Sequence, residues 1–444
     1  MRIIIAGDGE TGTHLAVMLS VENQDVVLLG HDREHLAELD AVSNFITFDG
    51  SALSISDLMQ CGADNADLFV AVTPDETVNI IACELAKECG ARKCVARVDN
   101  PEFSTEKADM LLKRHGIDLT IYPEKQAAID IRRFIEHSWV SEWFQFHGGK
   151  LLVVGVRMLA GGSLCGKYLR DVPANPRLFH VSAIKRGNGM IIPRGDDRLE
   201  EGDTIYFSVL PDNIDLLPGL CGQKVKTVRR IMITGAGRVT ENLLDILGQS
   251  YDVTVIDPDR ERCREFAGKF PKAVVVNASA NDVVTMKEEG IDGCDIFLAL
   301  TGSSETNIVA CMVAREHGVW RTVARIEELQ YIPEAESLSI DKIINKKLLN
   351  TGKVLNAVLD LNVATTQCFS IDQAEVTEMK APEGARIVSR PICELSLPRE
   401  LTVAGVVRDG EGMLAEGRTR IEPGDHVVMF CVSGSLAKID KLFR

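Results

Sequence analysis

Ile3-Ile4-Ile5-Ala6-Gly7-Asp8-Gly9-Glu10-Thr11-Gly12 decides the fold: an unbroken apolar run ends in a turn with three glycines, and Thr13 to Leu19 continues with small and apolar residues at helical spacing. Such a run reads as a strand buried on both faces of a parallel sheet. In a strand–turn–helix of this kind Gly7 allows the tight turn, Gly9 lets a pyrophosphate approach the backbone, and Gly12 lets the helix pack close to the strand. One such turn is a weak motif, but this chain carries it twice. Ile231-Met232-Ile233-Thr234 leads into Gly235-Ala236-Gly237-Arg238-Val239-Thr240, displaced by 228 residues. The same displacement relates Asp67-Leu68-Phe69-Val70-Ala71-Val72-Thr73 to Asp295-Ile296-Phe297-Leu298-Ala299-Leu300-Thr301, and Val95-Ala96-Arg97 to Val323-Ala324-Arg325. Shared order and spacing predict a duplicated nucleotide-binding unit.

Working outward in the first copy, further strands read at Asp25 to Leu29, Phe45 to Phe48, Leu68 to Thr73 and Cys94 to Val98, with helical stretches between them such as Asn79 to Glu88. This alternation predicts a doubly wound parallel sheet. The carboxylate that usually holds an adenosine ribose at the end of the second strand is replaced by Gly30, and Asp32 lies two residues on as a substitute. Asp49 either accepts from an adenine amino group or caps the turn Asp49-Gly50-Ser51. Thr73-Pro74 closes the fourth strand at the crevice edge, where ligands of open α/β sheets bind. Arg97 either reaches a phosphate or pairs with Asp99 or Glu102.

The second copy departs in a complementary way. Asp257, after Val253-Thr254-Val255-Ile256, occupies the ribose position that Gly30 vacates, while Thr240 replaces the third glycine and Asn277 stands in the place of Asp49. Thr240 is expected to widen the turn, because it adds a side chain where helix and strand meet. Arg238 beside the second glycine is either a ligand for a terminal phosphate or a solvated arginine at a helix N-terminus. The two halves are therefore expected to hold sites of unequal affinity or different ligands, or one of them has become structural.

Each large unit is followed by a smaller one. From Gln126 to Trp143 a long helical segment is expected, with Ile129, Phe134 and Trp139 among its apolar positions, acting as a crossover. A β-rich segment after Gly148-Gly149 contains Gly202-Asp203, and the same pattern returns 222 residues later at Gly424-Asp425. Both are read as turns before a final strand, with an architectural role. The expected division is residues 1–125, a crossover at 126–148, a small domain at 149–218, a linker at 219–228, a second large domain at 229–345, a crossover at 346–364, and a second small domain at 365–444.

The 444 residues suffice for three or four domains, and 65 acidic against 49 basic side chains give a net charge of −16. That balance argues against a nucleic-acid surface, which needs a basic stripe. Anionic small ligands remain possible, because backbone amides at a helix N-terminus attract them locally. The 12 cysteines are dispersed without a Cys-x-x-Cys pair, as expected of reduced cytosolic thiols. Met1-Arg2 leads straight into a strand, and no apolar run approaches the ~20 residues needed to cross a bilayer. A soluble protein is expected, with any membrane role reached through a partner.

On these residues the chain resembles the RCK (regulator of potassium conductance) family, in the tandem form of the cytosolic subunits of bacterial potassium uptake systems. The likeness extends over essentially the whole chain and rests on the doubled glycine turn, the doubled Ala-Arg-Val/Ile stretch and the small domains closing with Glu-x-Gly-Asp. It implies an α/β fold: two doubly wound, Rossmann-like RCK N domains, each followed by a small α+β RCK C domain. It also implies binding of adenine nucleotides, NAD(H) or ATP/ADP. The first site would use Gly7 to Thr11, the Gly30 position, Thr73-Pro74 and Arg97; the second would use Gly235 to Val239, Asp257, Thr301 and Arg325. The implied partner is a potassium-translocating membrane subunit of the TrkH/TrkG type, met at the inner face of the membrane by a homo-oligomeric ring, a dimer or tetramer of this chain.

Two other classes compete. A nicotinamide-dependent oxidoreductase would need an acid or base beside the nicotinamide, and the nine histidines show no catalytic pairing; His31 and His35 read as solvated residues at a helix entry. A regulator of another cation transporter or antiporter would share every motif quoted.

Overall fold

In the computed structural model the described residues are 1–21, 24–172, 178–187, 189–248, 250–338, 340–349, 354, 365–371, 374–432, 439 and 441–443. The first large domain runs β1 (Arg2–Ala6), α1 (Glu10–Val21), β2 (Asp25–Gly30), α2 (Arg33–Val42), β3 (Ile46–Asp49), α3 (Ile55–Gln60), β4 (Leu68–Ala71), α4 (Glu76–Cys89), β5 (Lys93–Arg97), α5 (Glu106–Arg114), β6 (Leu119–Ile121) and α6 (Pro123–Glu136). The first small domain contains β7 (Val140–Phe146), β8 (Leu151–Arg157), β9 (Phe179–Arg186), β10 (Gly189–Ile191), β11 (Thr204–Val209) and α7 (Leu217–Cys221). The second large domain repeats the pattern with β12 (Arg230–Thr234), α8 (Arg238–Leu247), β13 (Asp252–Asp257), α9 (Arg260–Lys269), β14 (Val274–Asn277), α10 (Val283–Glu288), β15 (Ile296–Ala299), α11 (Ser304–Glu316), β16 (Arg321–Arg325), α12 (Ile332–Ser337) and β17 (Lys342–Ile344). The second small domain holds β18 (Thr365–Ile371), β19 (Ala374–Lys380), β20 (Leu401–Arg408), β21 (Glu411–Leu414) and β22 (His426–Val432).

Both large sheets are parallel, with strand orders β3-β2-β1-β4-β5-β6 and β14-β13-β12-β15-β16-β17. This is the doubly wound order in which the crevice opens beyond the carboxyl ends of the two central strands, where the chain reverses direction across the sheet. Ile3, Ile4 and Ile5 are fully buried, as an unalternated strand between two helical layers requires. In register Ala6 faces Leu29 and Thr234 faces Ile256, so Gly30 and Asp257 fall at the same strand end.

The chain divides into two compact units: residues 1–136 with 227–357, and residues 137–226 with 358–444. Large domains are thus grouped with each other, and so are the small ones. Within the first unit, α6 leaves the first sheet and lays Ala127, Ala128, Ile131, Phe134 and Ile135 into the core of the second domain, against Val239, Leu243 and Leu247 of α8. Within the second unit the two antiparallel sheets, β10-β9-β11-β8-β7 and β18-β19-β22-β20-β21, share one connection pattern and bury Phe146, Val153 and Tyr206 against Val376, Val428 and Phe430.

Two expectations require correction. The helix expected from Gln126 to Trp143 is shorter: α6 ends at Glu136, and Val140-Ser141-Glu142-Trp143-Phe144-Gln145-Phe146 forms β7. Its β-branched and aromatic residues suit a pleated surface better than a helix. The linker expected at 219–228 begins inside α7, whose Leu217 and Cys221 are fully buried in the core of the first small domain. The crossover expected at 346–364 lies outside the described residues except for 346–349 and 354. The Gly202-Asp203 and Gly424-Asp425 turns carry more than a bend. Gly202 and Gly424 have φ of +90° and +93°, and the buried Asp203 and Asp425 each pair with an arginine, Arg186 and Arg408, at 2.8 Å.

Candidate functional site

Each glycine turn is fixed by backbone sterics. Gly7 and Gly235 have φ of +124° and +102°, and a Cβ at either would come within about 3 Å of the backbone of Val72-Thr73 or Leu300-Thr301. Their amides bond to the neighbouring strand end, Gly7 N–H to the Leu29 carbonyl at 2.9 Å and Gly235 N–H to the Ile256 carbonyl at 2.8 Å. At the third position the halves diverge. A Cβ on Gly12 would lie 1.8 Å from the Gly7 carbonyl oxygen, whereas Thr240 fits fully buried and donates from Oγ1 to the Gly235 carbonyl at 2.6 Å. The added side chain becomes a bond across the turn it was expected to widen.

In the second half these elements enclose a cavity of about 730 Å³, within the usual range for small-molecule sites. Its lining brings together Gly235, Ala236, Gly237, Arg238, Asp257, Thr301 and Arg325. Gly237 is the N-cap of α8 and supplies no side-chain cap, and amides at an uncapped helix start can attract an anion. Arg238 is exposed, and its guanidinium makes no ion pair among the described residues. Arg325 is paired with Glu327. Asp257, 2% exposed, accepts from the amides of Ala236 at 2.8 Å and Asp259 at 2.9 Å, and Arg262 approaches to 3.4 Å. Asn277 lies outside the cavity lining and donates from Nδ2 to the carbonyls of Asp257 and Pro258 at 3.0 and 2.8 Å, bracing the strand end. Val239 is buried in the core beneath the turn.

The first half fills the same positions differently. Asp8 stands where the second half has Ala236, and its Oδ2 accepts from the amides of His31 and Asp32, each at 2.7 Å. A Cβ on Gly30 would fall 2.3 Å from the Asp8 side chain, so the absent strand-end carboxylate and the added loop carboxylate occupy one space. Asp32 caps α2 by accepting from the His35 amide at 3.1 Å. Asp49 pairs with Arg33, and Arg97 pairs with Asp99 at 3.1 Å. Glu10, at the position of Arg238, pairs with Lys347. Gly9 and Pro74 are exposed, and Thr11 is half-buried.

Thr73 and Thr301 share a clamp that the sequence reading left out. Thr73 donates through its amide and its hydroxyl to Asn79 Oδ1, both at 2.8 Å, and Asn79 Nδ2 donates back to the carbonyls of Thr73 and Arg97, both at 3.0 Å. Thr301 and Asn307 repeat it, with the amide at 3.0 Å, the hydroxyl at 2.7 Å, and return bonds to Thr301 and Arg325 at 3.1 and 2.7 Å. Both asparagines are buried. They too are separated by 228 residues, so the repeat that revealed the turns held the signal.

The TrkA-N domain pattern matches residues 3–123 and again 231–346, and the TrkA-C domain pattern matches 153–229 and 376–444. The chain belongs to the TrkA family. The Trk system potassium uptake protein TrkA of Halomonas elongata is 31% identical over all of this chain and 99% of its own length. A TrkA homolog of Archaeoglobus fulgidus is 30% identical over the full length of both. Relatives of this TrkA-family chain are named for potassium uptake and not for a reaction. Among solved structures, the GsuK RCK domain covers all of this chain and 94% of its own at 16% identity with a TM-score of 0.62. The GsuK channel bound to NAD covers all of this chain and 78% of its own, at 16% identity and a TM-score of 0.64. The fold is therefore the tandem RCK fold. Among the described residues no helix is long and apolar enough to cross a membrane.

Proposed function

We propose that this chain is the nucleotide-sensing regulatory subunit of a Trk-type potassium uptake system, with its working site in the second large domain. One observation carries the reading: a single cavity gathers a helix N-terminus with no side-chain cap, an arginine that makes no ion pair among the described residues, and a strand-end carboxylate. These suit, in order, the phosphates, a terminal phosphate and the ribose of an adenine nucleotide. The relatives' names supply potassium uptake, and GsuK structures bound to NAD and to ADP support nucleotides as the ligand class. In this reading several copies of the chain form a cytosolic ring beneath a membrane subunit of the TrkH/TrkG type. Ligand then favours one angle between domains over another. A tenfold preference for one state supplies ~1.4 kcal/mol per site, so a decisive switch needs several coupled sites.

Potassium flux into vesicles holding the membrane subunit, with and without this chain and with ATP, ADP, NAD or NADH added in turn, tests the proposal. Flux that depends on the chain and changes with at least one nucleotide is expected. Flux indifferent to the chain, or to all four nucleotides, would overturn it.

A further inference from the structure

Three side chains far apart in sequence meet in the small-domain unit, away from the nucleotide cavity. We propose that His147, Glu378 and His426 form a binding site for a first-row divalent transition ion of the zinc class, joining the first small domain to the second. Glu378 lies on β19 with its side chain 3% exposed, and its Oε1 is 2.7 Å from His426 Nδ1 and 3.4 Å from His147 Nδ1. The two imidazole rings stand 4.4 Å apart between centroids, and one ligand atom from each residue falls within a common 4.8 Å sphere of separation.

The backbone at His147 is the second observation. Its φ of +47° is in the left-handed region, followed by Gly148 and Gly149 at +65° and +90°. Glycine would adopt that conformation without strain at all three positions, yet the first is histidine. That residue turns both its amide, at 3.1 Å from Oε2, and its ring toward the one carboxylate. The amide bond fixes Glu378 through Oε2 and leaves Oε1 facing the two ring nitrogens.

A tetrahedral ion with bonds of about 2.0–2.1 Å holds its ligands about 3.3 Å apart. The 3.4 Å separation already meets that spacing, and the 2.7 Å one opens by about half an ångström when a metal replaces the shared proton. Two imidazole nitrogens with one carboxylate oxygen match the zinc-type ligand set, whereas calcium and magnesium take oxygen throughout. The histidine side chains remain 34% and 22% exposed, which gives an ion a path in and leaves the fourth position to water. A cation here also supplies the charge that a buried carboxylate needs. His147 comes from the first half of the chain and its two partners from the second, so the ion would pin the contact between the small domains.

The test uses the full chain stripped of metal and titrated with Zn²⁺ by calorimetry and with Co²⁺ by visible absorption. One saturable site per chain is expected, with the intense visible bands of tetrahedral cobalt and a Zn²⁺-dependent rise in melting temperature. His426→Gln and Glu378→Gln should each weaken Zn²⁺ by more than the ten- to hundredfold that losing an outer-shell partner costs. His147→Asn keeps a residue tolerant of left-handed backbone and guards against a folding defect; it should do the same with unchanged circular dichroism. Cys393→Ser, at an exposed thiol, should bind as the parent does. No saturable site in the folded parent, or binding that survives in His147→Asn and His426→Gln, would overturn the proposal and leave a hydrogen-bonded trio.

Discussion

Where the first large domain has Glu10, the second has Arg238; where the first sets Gly30 against Asp8, the second sets Asp257 against Ala236. The strand orders are the same and the Thr–Asn clamp is repeated bond for bond, so these contrasts stand on a common scaffold at the crevice edge. In the second half a carboxylate rises from the strand end and bonds to the glycine loop. In the first a carboxylate descends from the glycine loop and bonds to the strand end. Each arrangement puts one acid between the same two segments, and each excludes the other by volume. Charge at the helix entry differs too: an arginine attracts a phosphate there, and a glutamate repels one. The duplicated scaffold has thus been kept, with an exposed arginine at the helix entry of the second copy and, in the first, polar groups paired locally as Glu10 with Lys347, Asp49 with Arg33 and Arg97 with Asp99.

The largest effect should come from exchanging the third residue of the turns. Gly12→Thr forces a side chain into the 1.8 Å gap above the Gly7 carbonyl and should cost about 3 kcal/mol. Thr240→Gly loses one buried hydrogen bond and gains a helical glycine, for about 1–2 kcal/mol. Chemical denaturation of both variants measures the difference, and equal costs would mean that the two turns are not distinct.

Exchanging the acids comes next. Gly30→Asp alone meets Asp8 at 2.3 Å and should lose about 2–3 kcal/mol, whereas Gly30→Asp with Asp8→Ala rebuilds the second half's arrangement and should recover most of it. A double-mutant cycle should give a coupling of about 1–3 kcal/mol; additive losses would break the comparison. Charge at the helix entry is the third lever. Arg238→Glu imports the first half's residue and should weaken nucleotide binding about ten- to a hundredfold, roughly 1.4–2.7 kcal/mol, measured by calorimetry at fixed salt.

The smallest effect concerns His14 on α1, whose counterpart on α8 is Asn242. Partial burial, then the nearby Lys347, pushes the His14 imidazole below its usual value. The unfolded chain therefore takes up this proton first as pH falls. The stability tied to neutral His14 is complete above about pH 6.5 and declines below it toward the folded value. Melting temperatures at pH 7.5 and 5.5 should differ less in His14→Asn than in the parent.

Much of this was legible in the sequence, because a strand buried on both faces and a glycine that must adopt positive φ leave local marks, and the duplication supplied a second reading of each. Asp257, Thr301 and Arg325 fall at equivalent positions for that reason. The role of Asp8 was not legible: it sits inside the motif, and only the folded backbone brings it against Gly30, 22 residues away. The exchange of α6 onto the second domain depends on long-range packing. β7 was misread because the helical pattern of Ile129, Phe134 and Trp139 was carried on to Trp143, past the end of α6 at Glu136. His147 and Glu378, 231 residues apart, share no local pattern at all.

Calorimetric titration of ATP, ADP, NAD and NADH into Asp257→Ala, beside the parent and Asp8→Ala, tests most directly whether the working site lies in the second half. Nucleotide binding lost in Asp257→Ala and kept in Asp8→Ala is the predicted result. Binding unchanged in Asp257→Ala, or abolished only in Asp8→Ala, would contradict it.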